Sequence, residues 1–122
     1  LLEQVIVIDP ERIEAVRERL RKGIEEIKEK VDENRFEQEL IYYLEKLDIT
    51  EEKVRLTNHL NYFLQELDVK VSNGKKLGFI SQEIGREINT IGSKANDAHM
   101  QQLVVNMKEE LEKIKEQLLN VL

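Results

Sequence analysis

Residues 11–32 read ERIEAVRERLRKGIEEIKEKVD, and the spacing of their apolar residues decides the fold. Ile, Val and Leu recur at steps of three and four, which is the repeat of one helix face. Glu, Lys and Arg fill most of the other positions, as on a solvated face. The segment predicts a long amphipathic helix with Asp9 as its N-cap and Pro10 at its first position, a favourable helix start. Its inward residues are Ile13, Val16, Leu20, Ile24, Ile27 and Val31.

The same repeat continues through the rest of the chain. A second helix is expected from Asp32 and a third from Asp48, because Asp48 and Glu51 have the spacing of a capping box. A fourth follows the turn at 72–74 and runs over residues 75–94, and a fifth runs from residue 96 or 97 to the end. The inward residues of the third helix are Val54, Leu56, Leu60, Phe63, Leu64 and Leu67. Those of the fourth helix are Leu77, Ile84 and Ile91. Those of the fifth helix are Leu103, Met107, Leu111, Ile114, Leu118 and Val121.

These patterns define the fold class and the domain organisation that we expect. No segment alternates with the period of a half-buried strand, so the chain is predicted to be all-α, with long amphipathic helical hairpins forming an elongated bundle and no sheet. Residues 1–32 are interpreted as a long connecting helix region at the end of an upstream part, and residues 33–122 as a C-terminal helical domain. The first residue is Leu and no leader pattern is present, which favours a piece of a longer cytoplasmic protein.

Composition excludes several classes of function. The 122 residues are 40% hydrophobic and 36% charged, too apolar for disorder and too charged for a membrane span. The absence of Cys excludes a disulfide framework, a thiolate zinc site and a cysteine nucleophile. With two His, any metal must be held mainly by oxygen, which favours Mg or Mn. The net charge of −6 argues against indiscriminate binding to nucleic acid or anionic membranes, but not against a local basic site.

Residues 74–97, GKKLGFISQEIGREINTIGSKAND, differ from the rest because glycine recurs every seven residues. Each Gly costs about 1 kcal/mol relative to Ala inside a helix, so three together indicate that something needs them. On an ideal helix, Gly78, Gly85 and Gly92 form a bare row beside an apolar row, where another backbone can approach closely. That backbone is either a packed helix or a polynucleotide. In the second case the binding cations would be Lys75, Lys76, Arg86 and Lys94.

Carboxylates in the same segment have a spacing that suits a divalent cation. Glu83 and Glu87 are i,i+4 neighbours, so both can reach one ion, and such an ion commonly serves phosphodiester hydrolysis. The ordinary alternative is that Glu83 pairs with Arg86 while Glu87 is a solvated charge.

The third helix carries a polar row of its own, in which Glu52, Arg55 and His59 lie at i, i+3 and i+7. A His beside Arg and Glu can serve acid–base chemistry or contact phosphate. It can equally be a surface residue paired with a carboxylate.

A longer pattern resembles the C-terminal region of the YicC-like endoribonuclease family, whose signature reads G-[RK]-K-L-D-F-x-x-Q-E-x-x-R-E-x-N-T-x-x-S-K-x-x-D. Gly78 stands where the pattern has Asp. The residues that carry the resemblance are 74–77, 82–83, 86–87, 89–91 and 93–97, with 35–39, 48–52, Arg55, His59 and Leu60 upstream.

The resemblance implies a function for the full-length protein. It would be a bacterial, stress-induced endoribonuclease, a hydrolase that cleaves single-stranded RNA with a divalent metal, Mg or Mn. It would assemble as a homo-oligomer, a hexamer, and bind neither DNA nor membrane. The alternative is a non-catalytic helical oligomerisation and RNA-binding module, with catalysis in an N-terminal domain.

Candidate site residues follow from the resemblance and from the patterns above. Either a metal-bound water or His59, acting with the ribose 2′-hydroxyl, would drive cleavage, and both routes stay open. The catalytic candidates are Glu83, Glu87, Arg86 and His59; the RNA-binding candidates are Lys75, Lys76, Arg55, Arg86, Asn89 and Lys94; the metal candidates are Glu83, Glu87, Glu52 and Asp97.

Overall fold

A computed structural model describes residues 14–32, 43–69, 74–95 and 98–119, and these ranges are almost entirely helical. Residues 14–32 form α1, and the next three helices are α2 (Tyr43–Leu67), α3 (Gly74–Lys94) and α4 (Ala98–Leu118). No strand occurs within the described ranges, which confirms the all-α prediction. The predicted helix over 75–94 is confirmed as α3, and the last helix begins at residue 98 in the described part.

The apolar stripes of the four helices meet in one core. α3 packs against both α2 and α4. α1 reaches the same core through Gly23, where an added Cβ would lie 2.9 Å from Cγ1 of Ile114 on α4. Ile13 and Val121 lie outside the described residues. The predicted inward residues found buried are Val16, Leu20, Ile24, Ile27, Val31, Leu56, Leu60, Phe63, Leu67, Leu77, Ile84, Ile91, Leu103, Met107, Leu111, Ile114 and Leu118.

Two details of the predicted third helix are wrong. The helix does not begin at Asp48, because α2 runs through that position without a break. Burial of Ile49 in the core and the Glu51–Arg55 ion pair one turn later stabilise helix where a cap was expected. Val54 is 54% exposed, because it lies about 200° around the helix from Leu56, on the opposite face.

Two of the three glycines in the row of α3, Gly85 and Gly92, face α4. A Cβ at Gly85 would lie 3.1 Å from Cδ2 of Leu111, and one at Gly92 would lie 3.0 Å from Cγ1 of Val104. At these two positions the interpretation as a polynucleotide groove is wrong, and the packed helix is the correct alternative. Gly78 differs, because nothing lies within 4 Å of its added Cβ.

α1 also contacts the end of α2. Arg17 Nη2 donates a hydrogen bond to the backbone oxygen of Val69 at 3.3 Å, and Arg21 pairs with Asp68. Residues on both sides of the predicted division at residue 32 thus share one core, and the division itself stays a prediction. No helix in the described ranges has the length and apolarity needed to cross a membrane.

Candidate functional site

Polar side chains line one edge of the antiparallel pair α2 and α3. Among the described residues, ion pairs join the helices at Glu52 and Lys94 (2.8 Å), at Arg55 and Glu87 (3.2 Å), and at Glu66 and Lys76 (3.3 Å). The structure thereby brings together the polar faces that the sequence placed on separate helices. We call this edge the polar seam: Glu52, Arg55, His59 and Glu66 on α2, with Lys76, Glu83, Glu87 and Lys94 on α3.

Glu87 is the best-shielded acid of α3 and is held by an arginine. Its side chain is buried, and Nε of Arg55 donates to both carboxylate oxygens at 3.2 Å. The hydrogen bond to Glu87, assisted by one to Glu51, raises the pKa of Arg55 above its ordinary value. The alternative of a solvated Glu87 is therefore wrong, since this carboxylate lies inside the helix pair.

Glu52 is a second buried carboxylate in the seam. Oε1 accepts a hydrogen bond from Nζ of Lys94 at 2.8 Å and lies 3.5 Å from Nη2 of Arg55. The hydrogen bond from Lys94 is the main cause that holds the pKa of Glu52 below its ordinary value, against the opposing effect of burial. Oε2 is buried and has no hydrogen-bond donor in the described part of the chain. Lys94 and Arg55 thus keep the buried Glu52 ionised, and both of them lie at Oε1.

The register places Glu83 of α3 across from His59 of α2, one turn along from the Arg55–Glu87 pair. Both side chains are half-buried, so each remains reachable from solvent. The two side chains share no hydrogen bond in the described part of the chain, but a carboxylate that reaches an imidazole can orient the ring for proton transfer. Within the seam, His59 and Glu83 are therefore side chains that can exchange protons and that a substrate can reach.

Two of the predicted metal ligands, Glu52 and Glu87, take part in these contacts. Glu52 and Glu87 already lie against Lys94 and Arg55, whose positive charges oppose a divalent cation at the same oxygens. Across the described residues, no group of three or more His, Asp or Glu side chains has a geometry that could hold a metal ion. Asp97 lies outside the described residues. Glu52 and Glu87 do not fit a metal site in this arrangement, and metal dependence stays a prediction.

The solvent side of α3 carries a second set of residues, which are polar apart from Phe79. They follow one another at steps of four and three residues, so they form a single line along the helix. We call this line the outer stripe. Its members, all exposed, are Lys75, Phe79, Gln82, Arg86, Asn89 and Ser93.

The cations of α3 divide between the seam and the outer stripe. Lys76 pairs with Glu66, and its Nζ lies 5.5 Å from the ring centroid of Tyr62; Lys94 pairs with Glu52. In the described part of the chain, Lys75 and Arg86 of the outer stripe take part in no ion pair. Their charges are consequently available to an anionic ligand.

Phe79 is a stripe residue to which the sequence pattern assigned no role. Its side chain is 63% exposed, whereas the other large apolar side chains of α3 are buried. The signal was present in the sequence, because Phe79 lies four residues after Lys75 and seven before Arg86, on the side opposite the apolar row. A helical projection that tracked aromatic residues among the polar ones would have found it.

Comparison with known proteins shows the family to which the chain belongs. The family model described as "Endoribonuclease YicC-like, C-terminal" matches residues 5–122. A protein of Clostridioides difficile named "Probable endoribonuclease YicC" is 40% identical over 123 residues, which cover 98% of this chain and 42% of that protein. A protein of Haemophilus influenzae with the same name is 35% identical over 105 residues, which cover 86% of this chain and 37% of that protein. The chain spans less than half of these curated relatives, and it belongs to the YicC-like endoribonuclease family, matching its C-terminal region.

Proposed function

We propose that the whole protein is an endoribonuclease that cleaves single-stranded RNA, and that this chain supplies an RNA-binding face and acid–base groups beside it. The names of the relatives support the activity. The observation that carries the proposal for this chain is the charge distribution of α3. Its exposed residues include Lys75, Lys76, Arg86 and Lys94 and no acid, although the chain has a net charge of −6.

The outer stripe has the groups that bind a sugar–phosphate backbone. Lys75 and Arg86 would contact phosphates, since such contacts supply most of the sequence-independent affinity for nucleic acids. The amides of Gln82 and Asn89 can donate to phosphate oxygens or to base edges. Neither acid of α3 belongs to the outer stripe, since Glu83 is half-buried in the polar seam and Glu87 is buried.

His59 and Glu83 are the acid–base groups that we propose for the cleavage step. His59 would accept the proton of the ribose 2′-hydroxyl, whose oxygen forms a bond to phosphorus as the bond to the 5′-oxygen breaks. The 5′-oxygen takes up a proton from water, and the products are a 2′,3′-cyclic phosphate and a 5′-hydroxyl. Glu83 would orient the imidazole, and Arg86 would offset the charge that develops on the phosphate.

Dependence on Mg or Mn belongs to the proposal for the whole protein, and no step above is assigned to such an ion. A divalent cation would offset phosphate charge and orient water. The chemical groups at the ends of the cleaved RNA show which route of cleavage operates. Cyclic phosphate ends support His59, whereas 5′-phosphate ends with strict metal dependence support a metal-bound water and Glu83.

The second candidate is a non-catalytic module that binds RNA and assembles the protein, with catalysis elsewhere in the longer relative. The buried ion pairs of Glu52 and Glu87 favour it, because these two acids hold α2 and α3 together rather than face a substrate. Assembly into a hexamer, a cytoplasmic location and a role in stress stay predictions for the whole protein.

The deciding experiment uses the full-length protein with His59→Ala or Glu83→Ala, and measures cleavage of single-stranded RNA with the oligomeric state in parallel. Our proposal expects strongly reduced cleavage with unchanged assembly and RNA binding. Glu109→Ala, which removes an exposed acid of α4, is the matched control. Normal cleavage by both variants would overturn the catalytic assignment and support the module.

A further inference from the structure

We propose that Phe79 is the base-stacking residue of the outer stripe, so that this face of α3 binds unpaired nucleotides rather than any polyanion. The inference rests on the proposed function, because it names how that RNA-binding face recognises its substrate. The starting observation is an aromatic ring that is 63% exposed on a helix whose other large apolar residues are buried.

A single exposed aromatic residue is ordinary, so the surroundings of Phe79 decide the interpretation. Lys75 lies one turn before the ring, and Arg86 lies two turns after it, about 10 Å along the helix axis. A nucleic-acid strand presents phosphates and flat bases in alternation. An aromatic ring between two cations matches that alternation, and stacking on it is tolerant of sequence because every base has a π-face.

Gly78 supplies a second observation beside the ring. No heavy atom lies within 4 Å of the position that a Cβ would occupy there, in contrast to Gly85, where Leu111 approaches. The surface at Gly78, the residue before Phe79, is therefore open, and no side chain of another described helix covers it.

The composition of the stripe favours RNA over a second protein helix as the occupant. Apart from Phe79, its members are Lys, Gln, Arg, Asn and Ser, so no apolar row accompanies the ring. The centre of a stable protein interface is depleted in charge and enriched in apolar side chains. The two cations instead complement a phosphate backbone, and duplex RNA would not offer its bases to the ring because they are stacked and paired.

The test measures binding of the full-length protein to two oligonucleotides by fluorescence anisotropy. One is a 2′-O-methyl single strand, which has no free 2′-hydroxyl to react, and the other is its abasic analogue with the same number of phosphates. Phe79→Ala should weaken binding to the base-bearing strand about 5- to 150-fold, the contribution of one stacked base. Its affinity for the abasic strand should stay unchanged. Phe79→Tyr, which keeps the ring, should preserve the preference for bases.

The outcomes separate this inference from the function on which it rests. If the unmodified protein binds neither strand, the proposed RNA-binding function fails, and the inference fails with it. If it prefers the base-bearing strand and Phe79→Ala keeps that preference, stacking by Phe79 is overturned while RNA binding stands. If Phe79→Ala weakens both strands equally, or changes the oligomeric state without changing the preference, the ring serves assembly and the inference is wrong.

Discussion

Nε of Arg55 lies 3.2 Å from both carboxylate oxygens of Glu87, and this contact joins α2 to α3 at the centre of the polar seam. The two partners differ in their exposure, since the side chain of Arg55 is 42% exposed and that of Glu87 is 8% exposed. The arginine can therefore return to water if it loses its partner, whereas the carboxylate cannot.

This asymmetry predicts unequal effects of removing either partner. Arg55→Met should lower the free energy of unfolding more than Glu87→Gln, because the first leaves a buried carboxylate without its donor. Urea denaturation of both variants, followed by circular dichroism, measures the difference. Equal losses would mean that Glu87 finds another donor or becomes hydrated when Arg55 is removed.

The lowered pKa of Glu52 predicts how stability changes with acid. Below its ordinary pKa of 4.5 the unfolded chain binds a proton that folded Glu52 still excludes, so stability rises with pH in that range. The contribution of Glu52 is complete above pH 4.5 and is lost as the pH falls through its lower folded pKa. Glu52→Gln should therefore lower the stability at neutral pH and make the loss of stability below pH 4.5 less steep. Thermal unfolding from pH 7 to pH 3 measures this slope.

Glu26 provides a control of opposite sign. A hydrogen bond with Glu110, together with burial, raises the pKa of Glu26, so here the folded chain binds the extra proton. Its contribution is present below pH 4.5 and is lost as the pH rises through the raised value. Glu26→Gln should therefore stabilise the protein at neutral pH. A common response of both variants would indicate a general loss of packing instead of two opposite charge effects.

The glycines of α3 predict two opposite changes in stability. Gly78→Ala should raise the free energy of unfolding by up to about 1 kcal/mol, since the added Cβ meets nothing and Ala favours the helix. Gly85→Leu should lower it by about 1–3 kcal/mol despite the same gain in propensity, because the longer side chain must displace Leu111. Denaturation midpoints of both variants measure the difference. A Gly85→Leu protein as stable as the unmodified one would mean that α3 and α4 separate without cost.

The sequence predicted the helices and most of the core because both depend on a local repeat. Residues such as Leu20 and Ile84 have one apolar face, and any fold of the chain must cover it. The wrong prediction of a helix start at Asp48 also relied on local sequence alone. A capping-box spacing also occurs inside helices, and here burial of Ile49 outweighs the tendency to break.

The contacts of the candidate site could not be predicted from the sequence, because they depend on which helix covers which face. The spacing of Glu83 and Glu87 predicted two equivalent acids. Only Glu87 is held by Arg55, which lies 32 residues away from it in the sequence. The glycine row likewise showed that something approaches closely, but not that the approaching group is α4 of the same chain. Sequence identified the residues, and the pairing of the helices decided between their alternatives.

The outer stripe predicts a specific salt dependence of RNA binding. If Lys75 and Arg86 each neutralise one phosphate, then Lys75→Ala or Arg86→Ala should reduce the slope of log affinity against log salt by about 0.7, the value for one contact with a single strand. Lys108→Ala, which removes an exposed cation of α4, should leave the slope unchanged. Titrations of the full-length protein with a 2′-O-methyl single strand between 50 and about 200 mM salt measure all three variants. A uniform decrease, including that of Lys108→Ala, would show that RNA responds to the total charge of the chain and that α3 has no preferred face.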